Sequence, residues 1–279
     1  METSLNAIKE RILYSKAFQL VRHQKNIKTT AFESLGVDNS VISRFENGKT
    51  LMGIDKIDAC LQEMHTSLRE YEYMVNGFAE DTLEEAFHEL ESAYYENNET
   101  KIRSIQKEYR NERLIYLSAK AILDGLTEAE QEIIYEDYSQ IESLGYAELS
   151  AFALIIEHMA TDMIMDMMDN FWDKNTAYYK IFSYRRKLLQ GSHRAALELS
   201  RRGEKKYAKL VLDVTAGILH ERDIFSKTMH LFSVGYYLYR FENVEKGKKK
   251  MNFALQVFEE VESYRLLGAY QRFYKETVK

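Results

Sequence analysis

The chain has no proline, one cysteine and 12 glycines in 279 residues, and no apolar run near the roughly 20 residues that a membrane-spanning helix needs. Each scarcity excludes something. A β-rich domain punctuates its short strands with Gly and Pro, so their rarity points to long helices on short connections, and the expected fold class is all-α. Cys60 cannot close an internal disulfide, and among Ile57, Leu61 and Met64 it reads as buried filler. The opening METSLNAIKERI is too charged for a signal peptide. The chain is expected in the cytoplasm, with no membrane partner. It also lacks a Gly-rich phosphate loop, a Cys/His metal spacing and a nucleophile elbow. His220-Glu-Arg-Asp223 has no second histidine four residues after the first, so a zinc-peptidase reading fails. No enzyme and no cofactor is expected.

Charge is what the chain has in unequal measure. The net −6 conceals segments that run 0 over residues 1–78, −16 over 79–170 and +10 over 171–279. A globally acidic protein still binds DNA if its basic groups are local, and Arg22, Lys25, Lys28, Arg44 and Lys49 crowd the first fifty residues.

Within that region, Asp38-Asn-Ser-Val-Ile-Ser-Arg-Phe-Glu-Asn-Gly48 reads as a complete short helix. Asp38 is expected to accept from the free N–H groups of the first turn, and Asn47-Gly48 to stop the helix. Ile42 and Phe45 face a core, which leaves Asn39, Ser40, Ser43, Arg44 and Asn47 outside, with Lys49 just beyond. Such a face suits base edges and phosphates in a major groove, the task of a helix-turn-helix recognition helix. The candidate DNA-binding set is Arg22, Lys28, Asn39, Ser40, Ser43, Arg44, Asn47 and Lys49.

Around it, the periodicity predicts a first helix or broken pair over 4–26, a second over 30–35, a fourth marked by Ile54, Ile57, Leu61 and Met64, and a fifth opened by the capping box Ser67–Glu70. Residues 1–76 therefore form a helix-turn-helix domain. The acidic stretch 79–81 and the capping box Thr82–Glu85 place a boundary there, with a second domain over 80–279. A further capping box, Thr127–Glu130, opens a helix that stops before Gly145.

A 39-residue spacing runs through the second domain: Ala196, Leu199, Gly203, Ala208, Leu212 and Thr215 return as Gly235, Leu238, Glu242, Gly247, Met251 and Ala254. Small residues at the first, fourth and last of these positions let antiparallel helix pairs stack closely, as in a tetratricopeptide superhelix with a concave face. A weaker copy runs through Tyr138, Ile141, Gly145, Ser150 and Leu154. On this register Met229, Phe232, Tyr236, Tyr239 and Arg240, with Leu197, Ser200 and Arg201, fall on the inner side. Aromatics beside guanidinium groups suit a short peptide, and the candidate peptide-binding set is Leu197, Arg201, Phe232, Tyr236, Tyr239 and Arg240. Ordinary packing between repeats is the competing reading. Asp162, Asp166, Asp169 and Asp173 share a helical face that reads as solvated rather than metal-binding. Met159, Met163, Met165, Met167 and Met168 read as core first and adaptable pocket second.

Two stretches carry a resemblance. SVISRFENGK at 40–49 and SVGYYLYRFENVEKGKKKMNFALQVF at 233–258 resemble the Rgg/MutR family of Xre-type bacterial transcriptional regulators, at the recognition helix and the last repeat. The spacing from Ile27 to Ile42, with Phe32 between, is similar to that family too. The resemblance implies a homodimer, dimerised through the C-terminal region, that binds operator DNA and senses a short secreted signalling peptide. Two positions depart from the pattern: Ile54 stands where some relatives bridge the dimer with cysteine, and Glu157 where peptide-responsive relatives often carry arginine. Two other readings are open, a tetratricopeptide-type protein-protein adaptor and a DNA-binding regulator controlled by a non-peptide ligand.

Overall fold

The computed structural model describes residues 2–78, 82–142, 144–174 and 180–279, with side chains from Ile12 onward except those of 173 and 174. Among these residues there is no β-strand. The chain divides into two units, 1–82 and 83–279. The acidic stretch 79–81 lies outside the described residues.

In the first unit, α1 (Glu2–Gln24) is one unbroken helix. Where a second helix was expected, Thr29–Leu35 forms a tighter 3-10 turn, closed by Gly36 at φ 72°. Then follow α2 (Asn39–Glu46), α3 (Ile54–Glu63) and α4 (Leu68–Val75). Phe18, Phe32, Ile42, Phe45, Cys60 and Leu61 fill the core with no exposed surface. Phe18 meets Phe45 edge-on, ring centroids 5.4 Å apart, and Phe32 at 6.0 Å. Burial pushes the Cys60 thiol up to about 11, as befits filler rather than a nucleophile. The Ser67–Glu70 capping box forms as expected, and Tyr71 ties α4 to α1 through a 2.7 Å bond from its hydroxyl to the Tyr14 carbonyl.

The second unit runs α5 (Thr82–Glu96), α6 (Glu99–Glu108), α7 (Arg113–Asp124), α8 (Glu128–Gln140), α9 (Tyr146–Ile155), α10 (Thr161–Lys174), α11 (Phe182–Arg202), α12 (Lys205–Ile218), α13 (Ile224–Phe241), α14 (Val244–Glu260) and α15 (Tyr264–Thr277). The repeat spacing falls on helix pairs α11–α12 and α13–α14, and the weaker copy on α8–α9. The small residues act as the spacing requires. A Cβ on Gly247 would stand 2.4 Å from the Tyr239 nitrogen and 2.7 Å from the Gly235 carbonyl oxygen, so α13 and α14 touch backbone to backbone. The Thr127–Glu130 capping box opens α8. Met159, Met165, Met167, Met168 and Phe171 are buried in the core shared by α7 to α13, which accounts for the methionine-rich α10 as packing.

The spine of this unit is α11, buried at every residue from Lys187 to Ser200. A helix buried all round must satisfy its polar groups internally. Lys187 reaches Glu91 on α5 at 2.5 Å, Gln190 donates to the Tyr95 hydroxyl at 2.8 Å, and Arg194 donates to Tyr94 at 2.9 Å and Glu157 at 2.7 Å.

Candidate functional site

Two sites follow, one in each unit. In the first, α2 stands on Ile42 and Phe45, both fully buried, and turns Asn39, Ser40, Ser43, Arg44 and Asn47 to solvent. Asp38 does not cap it: the side chain makes no bond to the first turn, and the start is held by the backbone bonds Val41 N–H to Asp38 O at 2.9 Å and Ile42 N–H to Asp38 O at 3.2 Å. The end is as expected, with Gly48 at φ 66° and its N–H on the Phe45 carbonyl at 2.8 Å. Arg44 lies back along the helix, its Nε 3.3 Å from the Ser40 carbonyl oxygen, and the Asn47 amide donates to the Ser43 carbonyl at 2.7 Å. Lys28 and Lys49 are exposed on either side of the helix in sequence.

Arg22 differs from the rest of its candidate set. Its Nε and Nη2 donate to the two Glu46 carboxylate oxygens at 2.5 and 2.8 Å, and Nη1 donates to the Ile27 carbonyl at 2.8 Å. The hydrogen bond with Glu46 raises the guanidinium pKa against the opposing effect of burial. Arg22 is therefore a clamp between α1 and α2 and presents no free fork to a phosphate. Helical periodicity gives no warning of this, because its partner lies 24 residues away.

In the second unit, the expected inner set comes together only in part. Leu197 and Arg201 on α11 meet α13, where Arg240 donates to the Arg201 carbonyl at 3.0 Å and lies 3.3 Å from the Tyr236 hydroxyl. Phe232 and Tyr236, however, are fully buried. Phe232 packs edge-on against Tyr270 at 4.8 Å, and Tyr236 against Phe273 at 4.9 Å. The physical reason is α15, whose Leu267, Tyr270 and Phe273 cover the face of α13 that the repeat register leaves open. Tyr239 is half-buried and its hydroxyl accepts from the Lys279 N–H at 3.0 Å. Arg201 pairs with Glu198 at 2.7 and 2.8 Å.

One open space lies toward the start of α11, apart from a cavity of about 430 Å³ lined by Leu83, Arg113, Tyr138 and Ile141 among others. A cavity of about 350 Å³ sits among α5, α9, α11, α13 and α15, lined by Tyr95, Tyr146, Phe182, Arg186, Lys187 and Phe225 among others. That is the lower end of the range for ligand pockets. A smaller chamber of about 50 Å³ adjoins Tyr94, Glu157, Arg194, Leu197, Tyr270 and Phe273. There burial opposes charge on Arg194, but the Tyr94 oxygen and the Glu157 carboxylate outweigh it and raise the guanidinium pKa. Arg194 in turn holds Glu157 below the usual carboxylate range. The position where an arginine was expected from the resemblance thus carries an acid already bound to an arginine of α11. The α11 side chains Lys187, Gln190 and Arg194 and their α5 partners were missed because a polar row at helical spacing reads from sequence as a solvated face.

Fold and sites together define a helix-turn-helix protein with a helical-repeat domain. The family model for the HTH-type transcriptional regulator Rgg, C-terminal domain, matches residues 81–272, and the chain belongs to the Rgg family. Its structure is similar to the SHP pheromone receptor Rgg2 of Streptococcus dysgalactiae (TM-score 0.79, 18% identity, covering 95% of this chain and 100% of that one). A chain from Listeria monocytogenes EGD-e matches with TM-score 0.77 and 15% identity, over 95% of this chain and 98% of that one. ComR from S. thermophilus, solved in complex with DNA and its signalling peptide ComS, matches with TM-score 0.61 and 11% identity, over 93% of this chain and 97% of that one.

Proposed function

We propose that this protein is a cytoplasmic, sequence-specific DNA-binding regulator of transcription, without enzymatic activity, that acts as a homodimer and is controlled by a short peptide bound in its repeat domain. The observation that carries the reading is the outer face of α2. Asn39, Ser40, Ser43, Arg44 and Asn47 are exposed on one short helix anchored by Ile42 and Phe45, a polar row that serves no packing in its own unit. Side chains near the start of such a helix reach base edges, while Lys28 and Lys49 neutralise phosphates. A single domain of this size contacts few base pairs, so a dimer on two related half-sites supplies the specificity. Peptide control is supported by membership of the Rgg family, by the charged and aromatic cavity along α11, and by relatives described as a pheromone receptor and as a complex with a signalling peptide. No helix among the described residues is long and apolar enough to cross a membrane.

The test is to purify the protein from its own cells, sequence the DNA that accompanies it, and titrate the enriched duplex by fluorescence anisotropy at several salt concentrations. The reading requires tight, salt-sensitive binding of that duplex over a scrambled one. Equal, weak binding of both would contradict it and favour an adaptor role for the repeat domain.

A further inference from the structure

We propose that the cavity along the start of α11 is a carboxylate site, in which Arg186 holds an acidic group of the peptide ligand; this rests on the peptide-sensing reading above. The argument begins with what is already paired. Around the cavity, Lys187 is held by Glu91 and Gln190 by the Tyr95 hydroxyl, so neither is available without breaking a buried contact. Arg240, the guanidinium first expected to meet a peptide carboxylate, donates to the Arg201 carbonyl and neighbours the Tyr236 hydroxyl.

Arg186 is placed differently. Its guanidinium carbon lies 5.2 Å from the Phe182 ring centroid and 4.6 Å from that of Phe225, both cavity-lining aromatics. Ring stacking engages the faces of a guanidinium and leaves its in-plane N–H edge for an acceptor. Asp223 forms an ion pair with its Nε at 3.7 Å, beyond hydrogen-bond distance, and the cavity's own acid, Glu91, is taken up by Lys187. The Asp223 oxygens are already used by the Ser226 N–H at 3.2 Å and the Ser226 hydroxyl at 2.7 Å, which open α13. The Arg186 Nε makes no hydrogen bond, and 43% of the side-chain surface is exposed, so the guanidinium edge is open to an acceptor that a ligand supplies.

The surrounding electrostatics favour an anion. The first turns of α11 carry Arg185, Arg186 and Lys187 and no acid, at the positive end of a long helix dipole, and these three cations outnumber the two acids that face them, Glu91 on Lys187 and Asp223 on Arg186. An acidic side chain and a free C-terminal carboxylate share the chemistry Arg186 offers, and a bidentate fork grips either. The flanking rings of Tyr146 and Phe225 then take apolar residues next to the acid, and the cavity volume admits one end of a peptide rather than its whole length.

The experiment uses the full-length protein and soluble randomised octapeptides, made once as free acids and once as C-terminal amides, with retained peptides read by mass spectrometry. Wild type is expected to retain pools that favour Asp or Glu at one position, or free acids over amides. R186Q should lose that preference while still retaining apolar peptides, and R186K should keep it in weakened form because it has charge but no fork. The preference distinguishes the side-chain source from the terminal one. Melting curves accompany each variant, and if R186Q does not fold, R186K carries the comparison. A wild-type pool without acidic preference, or one that R186Q leaves unchanged, overturns the carboxylate site and leaves peptide sensing standing. Retention of no peptide in any arm overturns peptide sensing and this site with it.

Discussion

Arg22 on α1 and Glu46 at the end of α2 form a two-point ion pair, 2.5 and 2.8 Å, with only 12% and 6% of their side-chain surfaces exposed. The pair fixes the helix proposed to read DNA against the longest helix of its unit. Removing one partner strands a buried charge, so Arg22→Ala is expected to lower the stability of the protein by about 3 kcal/mol. The loss should appear in thermal or urea unfolding. If Arg22 instead contacts DNA, unfolding would be unchanged while affinity falls.

Ser40 and Arg44 test readout on the outer face. Arg44→Ala is expected to weaken binding to a selected operator by about 1–3 kcal/mol, and Ser40→Ala to relax sequence preference, both with unchanged melting curves. Anisotropy on the operator and on single-base variants measures both effects. Wild-type affinity and preference in both variants would remove α2 from the interface.

The close approach of α13 and α14 gives a packing prediction. Gly247→Ala places a methyl against Tyr239 and Gly235 backbone, which cannot swing away, and should destabilise the protein by about 1–3 kcal/mol or more. Gly217 in α12 meets nothing within 4 Å, so Gly217→Ala should be neutral or stabilising by up to about 1 kcal/mol. Equal melting temperatures for both variants would contradict the pairing.

A fourth prediction concerns pH. His193 on α11 is fully buried, neither of its ring nitrogens has a hydrogen-bond partner, and its ring lies 5.6 Å from that of His230 on α13. Burial drives the His193 pKa well below its ordinary value and also lowers that of His230. The unfolded chain then binds more protons than the folded one below the ordinary histidine range. The stability from a neutral His193 is complete above about pH 6.5 and is lost as pH falls below it, by up to about 1.4 kcal/mol per pH unit for one proton. His193→Leu should show a shallower loss between pH 6.5 and 5 in urea unfolding. Identical slopes would assign the acid sensitivity elsewhere. The paired acid Glu157, held low by Arg194, acts in the same sense at lower pH, its stabilisation being lost as pH falls through the ordinary carboxylate range and below it.

The all-α class, the α2 helix and the 39-residue repeat were legible in the sequence because each depends on local periodicity or on a residue with one backbone role, such as Gly48 or Gly247. What was not legible depends on partners far along the chain. Tyr236 and Arg240 sit where an open repeat would present them inward, but α15 returns over α13 and buries Tyr236 against Phe273. Lys187 and Arg194 look solvent-facing by spacing and are instead buried against α5, whose Glu91 and Tyr94 lie about a hundred residues earlier. No local pattern encodes such pairings.

The central claim, that the outer face of α2 reads DNA sequence, is tested most directly by selecting from a pool of randomised duplexes with wild type and with the Ser40→Ala, Arg44→Ala double variant. The wild type should enrich an imperfect palindrome whose half-sites lie one helical turn or a multiple apart. The folded double variant should enrich a degenerate motif or none. The same sharp motif from both proteins, or no motif from either, would contradict the account.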